Sequence, residues 1–429
     1  MYDLGKAPQL GRFSYVIICM MIIEIKIRKG IELGTWQGIG GAITEATAYN
    51  YAKLNPSKKR QLLDAYFSKN GLDYRWGRLS IGGNDFCLKP YEYTKRVDLS
   101  DFSIEHDEKW MLPMLGDILR KKSLCLVATP WSPPKCMKFT LGNFSVLKPW
   151  CYDEYAKYIR RWLEEYAKKG VKINYLTPQN EPRAAQIWES CVYSYRAQKK
   201  IAYRYLAEEL KNLNTKILLW DHNKRNLTRI AGKLFSGKYV TEFGRDKKIA
   251  GLCYHWYNGS FPDEMWQVRQ KYPEIMMLSS EMCCGFSPYD EQGWQKDAKL
   301  YLRELFADIN TGTSAWIDWN MLLSWQGGPS YCKNFVKSPI ILNKTEDDFI
   351  LTPIYHALKK FATLFPAGSE VVRCEYNSDD IVAIVRKIKA GYKVVIANVS
   401  DQEQKVKIAL NDKTKEFTLA EFEITSVNI

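Results

Sequence analysis

The stretch Tyr175-Leu176-Thr177-Pro178-Gln179-Asn180-Glu181-Pro182 places a carboxylate just past an apolar run, and the prolines on either side of Glu181 bar a helix or central strand from continuing through it. A second glutamate, Glu281, closes the run Ile275-Met276-Met277-Leu278-Ser279-Ser280, 100 positions beyond Glu181. Two carboxylates brought to one pocket suit glycosidic bond cleavage: one protonated, to give the leaving oxygen its proton, the other ionised, to act at the anomeric carbon. Neighbouring runs end in Trp131, Tyr257 and Trp319, whose flat faces suit stacking on a sugar ring, and in Asp85, Asn180 and Asn320, which suit its hydroxyls. His255 reads as a hydrogen-bond support. Asp221, His222, His255 and Glu281 lack the HxH or HxxxH spacing of a metal set, so no metal is expected.

These residues need a periodic scaffold. From Trp36 onward eight short β-rich runs recur, ending near Ala42, Gly82, Trp131, Glu181, Asn223, Tyr257, Glu281 and Asn320. Helical patterns lie between them. Pro56 follows the capping residue Asn55, and residues 152–170 repeat Tyr155, Ile159, Trp162 and Tyr166 on one face before Gly170. Further helices are expected over residues 193–213, 263–272 and 293–309. Eight apolar strands alternating with helices predict an α/β fold, a closed (β/α)8 TIM barrel over residues 35–365 with its chemistry at the C-terminal strand ends. The turn "GIGGA" lacks GxGxxG spacing, which argues against dinucleotide binding. From residue 366 to 429 the pattern alternates with period two and predicts an attached β-sandwich. Residues 1–34 are expected to add N-terminal strands to it, with 15–23 and 24–28 as a strand pair.

Composition narrows the class. The formal charge is +14, but the basic runs at residues 57–60, 199–200 and 245–248 are scattered, as on a solvated surface rather than a nucleic-acid groove. Eleven cysteines without a CxxC pair predict reduced thiols and a cytoplasmic location. The longest apolar run, residues 15–23, falls far short of the roughly 20 residues that span a bilayer, so no transmembrane segment is expected.

The motifs "TPQNEP", "SPPKCMK", "ILLWDHN", "YHWY", "SSEMCC" and "WIDWN…GGPSYCKNF…SPII" together resemble glycoside hydrolase family 30, the glucosylceramidases and related β-glycanases, in order from about Gly38 to Phe365. The resemblance implies a retaining β-glycosidase without a cofactor, with Glu181 as acid/base and Glu281 as nucleophile. It also implies that Asp85, Trp131, Asn180, Tyr257, Trp319 and Asn334 line the sugar subsite, with His255 supporting it. The expected substrate is a β-linked carbohydrate, a β-glucoside or β-1,6-linked glucan, with a β-xyloside or glucosylceramide as variations. A non-catalytic carbohydrate-binding barrel is the rival, against which the second carboxylate counts. In the retaining reading Glu181 is expected to stay protonated near neutrality, its pKa raised by burial or by Glu281. Cys136 and Ser330 depart from the family's usual Trp and Asn, so the aglycone preference does not carry over.

Overall fold

The structure, a computed structural model, describes residues 22–238, 240 and 248–429. Residues 15–21 of the expected strand pair and residues 245–247 of one basic run lie outside that set. Strand β1 (Ile23–Thr35) precedes the barrel. The barrel strands are β2 (Ile39–Ala42), β3 (Trp76–Ile81) and β4 (Cys125–Pro130), then, after the hairpin β5 (Lys138–Leu141) and β6 (Phe144–Leu147), β7 (Tyr175–Leu176), β8 (Lys216–Asn223), β9 (Ile249–His255), β10 (Met276–Glu281) and β11 (Ala315–Asp318). All eight pair in parallel, and the ring closes between β11 and β2.

The period of two along these strands builds the site in layers. Trp76, Val127, Cys253 and Leu278 fill the barrel interior as one apolar cluster. Two residues further along each strand, on the same face and nearer the mouth, stand the buried polar residues Arg78, Thr129, His255 and Ser280. An apolar floor therefore carries a polar tier, and the mouth residues rest on that tier.

The helices around the barrel form where caps and apolar stripes predict them. Asn55 Oδ1 accepts from the Lys58 N–H at 3.0 Å and opens the helix Pro56–Phe67. The helix Tyr152–Lys168 buries Tyr155, Ile159, Trp162 and Tyr166. The helices expected over 263–272 and 293–309 run from Pro262–Lys271 and Glu291–Asn310. The helix expected over 193–213 is not uniform: Tyr195–Lys199 winds as an α-helix, Lys200–Leu206 as a π-helix and Ala207–Glu209 as an α-helix again. Its buried residues include three in a row, Ile201, Ala202 and Tyr203, a face broader than one α-helical stripe, and the wider turn keeps them on the barrel side.

After β11 come the short strands β12 (Leu322–Leu323), β13 (Ile340–Leu342) and β14 (Phe349–Leu351) and then β15 (Glu370–Tyr376), β16 (Ile381–Ile388), β17 (Gly391–Asn398), β18 (Gln404–Leu410), β19 (Lys413–Leu419) and β20 (Ile424–Asn428). β1 sits between β15 and β18, so seven strands form one continuous sheet in the order β19-β18-β1-β15-β16-β17-β20. β1 joins the two halves of this attached strand domain by continuous pairing. One face of the sheet buries Ile23, Ile25 and Ile27 with Val372, Val394 and Ile408. The other face sets Val382, Ile384 and Val395 into the barrel's own core cluster, beside the helices Glu291–Asn310 and Pro353–Leu364.

Candidate active site

Two irregular strands aim the acidic residues at the mouth. The β9–β10 register shifts between Ser279 and Glu281, and the β8–β9 register shifts between Trp220 and His222. Such shifts re-aim a side chain at the end of a strand. Asp221 sits in the second of them with φ +54°, and Glu181 has φ +44° on the loop beyond the two-residue strand β7. That loop is held by strand ends on both sides: the Asn180 N–H donates to Pro130 O at 2.8 Å and the Glu181 N–H to Asp221 O at 2.9 Å. The prolines around Glu181 thus end a strand early, and the neighbouring backbones fix the carboxylate.

Asp221 and Arg78 organise the floor of the site. Both are fully buried. Asp221 accepts from Thr177 Oγ1 at 2.8 Å, from Ser280 Oγ at 2.6 Å and from Arg78 Nη2 at 2.9 Å, and it faces His255 Nε2 at 3.1 Å. Burial pushes its carboxyl up, but Arg78 and His255 outweigh this and hold it well below the usual range. Arg78 also donates to Asn180 Oδ1 at 2.9 Å and to Glu281 Oε2. Its guanidinium lies 4.8 Å from the Trp131 ring and 5.6 Å from the Trp319 ring. One cation therefore bridges Glu281 to the buried aspartate.

Glu281 is further held by Tyr257 Oη, which donates to its Oε1 at 2.9 Å. Glu181 Oε1 faces His255 Nδ1 at 3.3 Å and His222 Nδ1 at 3.5 Å. His255 Nδ1 is also 3.9 Å from Glu281 Oε1. A shared neighbour at 3.3 and 3.9 Å limits the gap between the two carboxylate oxygens to about 7 Å, which admits the spacing of about 5 to 5.5 Å of a retaining pair.

The ionisation differs from the sequence expectation. Burial raises the Glu181 carboxyl, but His222 and His255 outweigh it and hold the group low. Burial lowers His255, yet Glu281, Asp221 and Glu181 around it raise its pKa to about 9. Near neutrality the proton of the Glu181–His255 pair therefore rests on the imidazole, not on the carboxyl. Asp85 behaves oppositely: burial, then the charge of Glu281, lifts it to about 8 against the hydrogen bond from Asn334 Nδ2 at 2.8 Å.

A cavity of about 380 Å³ opens above this floor, lined by Asp85, Trp131, Asn180, Glu181, Tyr257, Glu281, Trp319 and Asn334. Trp131 and Trp319 stack on each other, centroids 5.2 Å apart and planes at 21°. His255 lies beneath the cavity, fully buried. Asn320, expected to meet sugar hydroxyls, is instead buried and accepts from Thr44 Oγ1 at 2.6 Å, because φ +58° turns it from the mouth. Ser330 Oγ accepts the Asn334 N–H at 3.0 Å and so anchors the loop that carries Asn334. Cys136 packs half-buried against the main core.

Sequence reasoning missed Arg78, Gln186 and Trp188. The last two line the cavity from the loop after Glu181. Arg78 carried a signal: a charged residue inside the apolar run "YRWGRLSIG" is buried only when paired. Asp221, His222, His255 and Glu281 form no metal set, since Asp221 and Glu281 are spent on Arg78. No group of three or more such side chains among the described residues is disposed to hold a metal ion.

A closed parallel eight-stranded barrel whose mouth holds two carboxylates beside a tryptophan-walled cavity defines a retaining β-glycoside hydrolase. The Glycosyl hydrolase family 30 TIM-barrel domain matches residues 36–365, and the chain belongs to that family. It is similar to the lysosomal acid glucosylceramidase of Mus musculus, 28% identical over 393 residues that cover 85% of this chain and 75% of the mouse protein. It is also similar to the endo-1,6-β-D-glucanase of Neurospora crassa, 27% identical over 205 residues, 44% of this chain and 42% of that protein. The crystal structure of SrfJ from Salmonella typhimurium superposes with a TM-score of 0.86 at 27% identity, covering 94% of this chain and 92% of SrfJ. The protein is a glycosidase acting on β-linked carbohydrate, and no helix among the described residues is long and apolar enough to cross a membrane.

Proposed function

We propose that the protein cleaves β-glucosides or β-1,6-linked glucan, with Glu281 attacking the anomeric carbon and Glu181 protonating the leaving oxygen. The names of these two relatives share a glucosyl unit in the substrate, which supports a glucosyl unit in the cavity. The observation that carries the roles is the unequal wiring of the carboxylates. Arg78 donates to one oxygen of Glu281 and Tyr257 to the other, which orients the carboxylate as an attacking oxygen requires. Glu181 instead faces a histidine that holds a proton.

The steps follow from that wiring. The bound sugar stands between the carboxylates and displaces water, the His255 proton passes to Glu181 Oε1, and Glu181 gives it to the departing oxygen as Glu281 forms the glycosyl-enzyme bond. Water then attacks the same carbon from the other side of the bond, losing its proton to Glu181 and freeing Glu281. Asn180, held by Arg78, is placed for the sugar 2-hydroxyl.

Aryl β-glucosides test this directly. Glu281→Ala is expected to lose activity on the order of 10⁴-fold or more, with azide restoring turnover as the inverted glycosyl azide. Glu181→Ala is expected to lose about 100-fold on poor leaving groups and little on activated ones, which need no proton. Equal losses on both kinds would remove the acid assignment. A reducing, cytoplasmic location stays part of the proposal, supported by free cysteines throughout the described residues. Thiol counting on protein purified without reductant tests it.

A further inference from the structure

A second cavity, of about 330 Å³, lies across a shared wall from the catalytic one. Trp131 lines the first and Ser132 the second; Trp188 lines the first and Glu189 the second. Its charges are unbalanced. Lys95, Lys135 and Lys138 all line it, and none has an ion-pair partner among the described residues. The two wall carboxylates each accept one neutral donor, Glu92 the Lys135 backbone N–H at 2.8 Å and Glu189 the Tyr331 hydroxyl at 2.5 Å, which leaves three cations against two anions.

Two side chains point to a ligand independently of each other. Lys138 is partly buried, and among the described residues its ammonium donates only to Ser132 Oγ, at 2.5 Å. An ammonium carries three donors, and Glu189 and Glu92 favour its charge only from beyond ion-pair distance, so two of the three donors are left for a ligand or water. Burial accordingly pulls its pKa down. Tyr158 is 1% exposed, and its hydroxyl is the part of it that meets the cavity, with no protein hydrogen bond among the described residues. It points to the same cavity, 3.7 Å from where a Cβ on Gly82 would stand.

We propose that this cavity binds an anionic group, a carboxylate or a phosphate ester, carried on a sugar unit, with Lys138 as counter-ion and Tyr158 as a hydroxyl donor. The proposal rests on the glycosidase reading only in taking the ligand to be a carbohydrate. The catalytic cavity does not supply such a site, because Glu181 and Glu281 present carboxylates there. The two cavities would thus divide a charged substrate between them, its neutral glucosyl unit at the carboxylates and its acidic unit behind the wall.

Calorimetric titration of the full chain at pH 7 with glucuronate, glucose 6-phosphate, glucose and inorganic phosphate tests this. Wild type should bind one of the sugar anions about tenfold or more tighter than glucose, as a charge-assisted contact requires. Lys138→Met should erase that preference while neutral aryl β-glucoside turnover stays within about twofold, and Tyr158→Phe should weaken anion binding about threefold. Thermal melting checks that each variant folds, and Tyr158→Phe decides the matter where Lys138→Met does not. Absence of any anion preference in wild type, or a preference that survives both substitutions, overturns the site. Inorganic phosphate binding as tightly as glucose 6-phosphate overturns the sugar-borne ligand. Failure to turn over aryl β-glucosides would strike the hydrolase reading and leave the anion preference standing.

Discussion

On the proposed roles, the proton that Glu181 would deliver is held 3.3 Å away, on His255 Nδ1. Asp221 from β8, Glu181 from the loop after β7 and Glu281 from β10 surround that ring; Arg78 reaches it through Asp221 and Glu281, and His222 Nδ1 faces the same Glu181 oxygen at 3.5 Å. Because the raised histidine keeps its proton until about pH 9, the pair is proton-loaded below that value and empties above it. The alkaline limb of kcat/KM should therefore fall near pH 9 on substrates with poor leaving groups. In His255→Gln only the carboxyl holds the proton, and the limb should move down by about 2 pH units or more. An unmoved limb would place the proton elsewhere. Asp85 gives a stability prediction of the opposite kind. Its folded pKa of about 8 lies above the unfolded value of about 3.9, so the unfolded chain loses this proton first and stability drops as pH rises between the two. Asp85→Asn removes that cost while keeping an acceptor for Asn334. It should melt about 2 °C or more higher than wild type at pH 8, with the gain shrinking toward pH 4, and should cleave aryl glucosides about tenfold or more slowly.

The site also depends on how closely its strands approach. Gly251 in β9 faces the backbone of β10, where a Cβ would come within 1.9 Å of Met276 O. These strands carry His255 and Glu281. Gly251→Ala must push them apart and should lower stability in urea by about 2 kcal/mol with a matching loss of kcat. Full activity in this variant would mean that the strand pair tolerates displacement at its base. Much of this level was readable in the sequence, since β3, β4, β8, β10 and β11 are apolar runs whose ends carry Asp85, Trp131, Asp221, Glu281 and Trp319. What was not readable arises between strands. The register shifts that aim Asp221 and Glu281 are properties of strand pairs, and one strand's sequence does not record its neighbour's offset. The ionisation of Glu181 was misjudged for the same reason: burial is legible in an apolar context, but His222 and His255 arrive from β8 and β9. Asn320 was misplaced because strand-end position alone does not tell which way a left-handed residue turns.

At the scale of the whole molecule, β1 ties the first described residues to the last domain. The alternation Ile23-Glu24-Ile25-Lys26-Ile27 was legible as a strand; its place between β15 and β18 was not, because those partners lie more than 340 residues away in sequence. Removing it would leave two unpaired strand edges and strip three isoleucines from the sheet's inner face. Each fully buried isoleucine contributes about 1.5 to 3 kcal/mol, so the loss amounts to about 5 kcal/mol or more. The other face of that sheet covers the barrel helices that follow β10 and β14, hence the damage should reach the barrel. A chain beginning at Trp36 should melt about 10 °C or more below the full chain and aggregate through the exposed edges, even though every catalytic residue is retained. Scanning calorimetry of the two chains checks this. An unchanged midpoint with soluble, active protein would mean that the barrel stands without the sheet's closure.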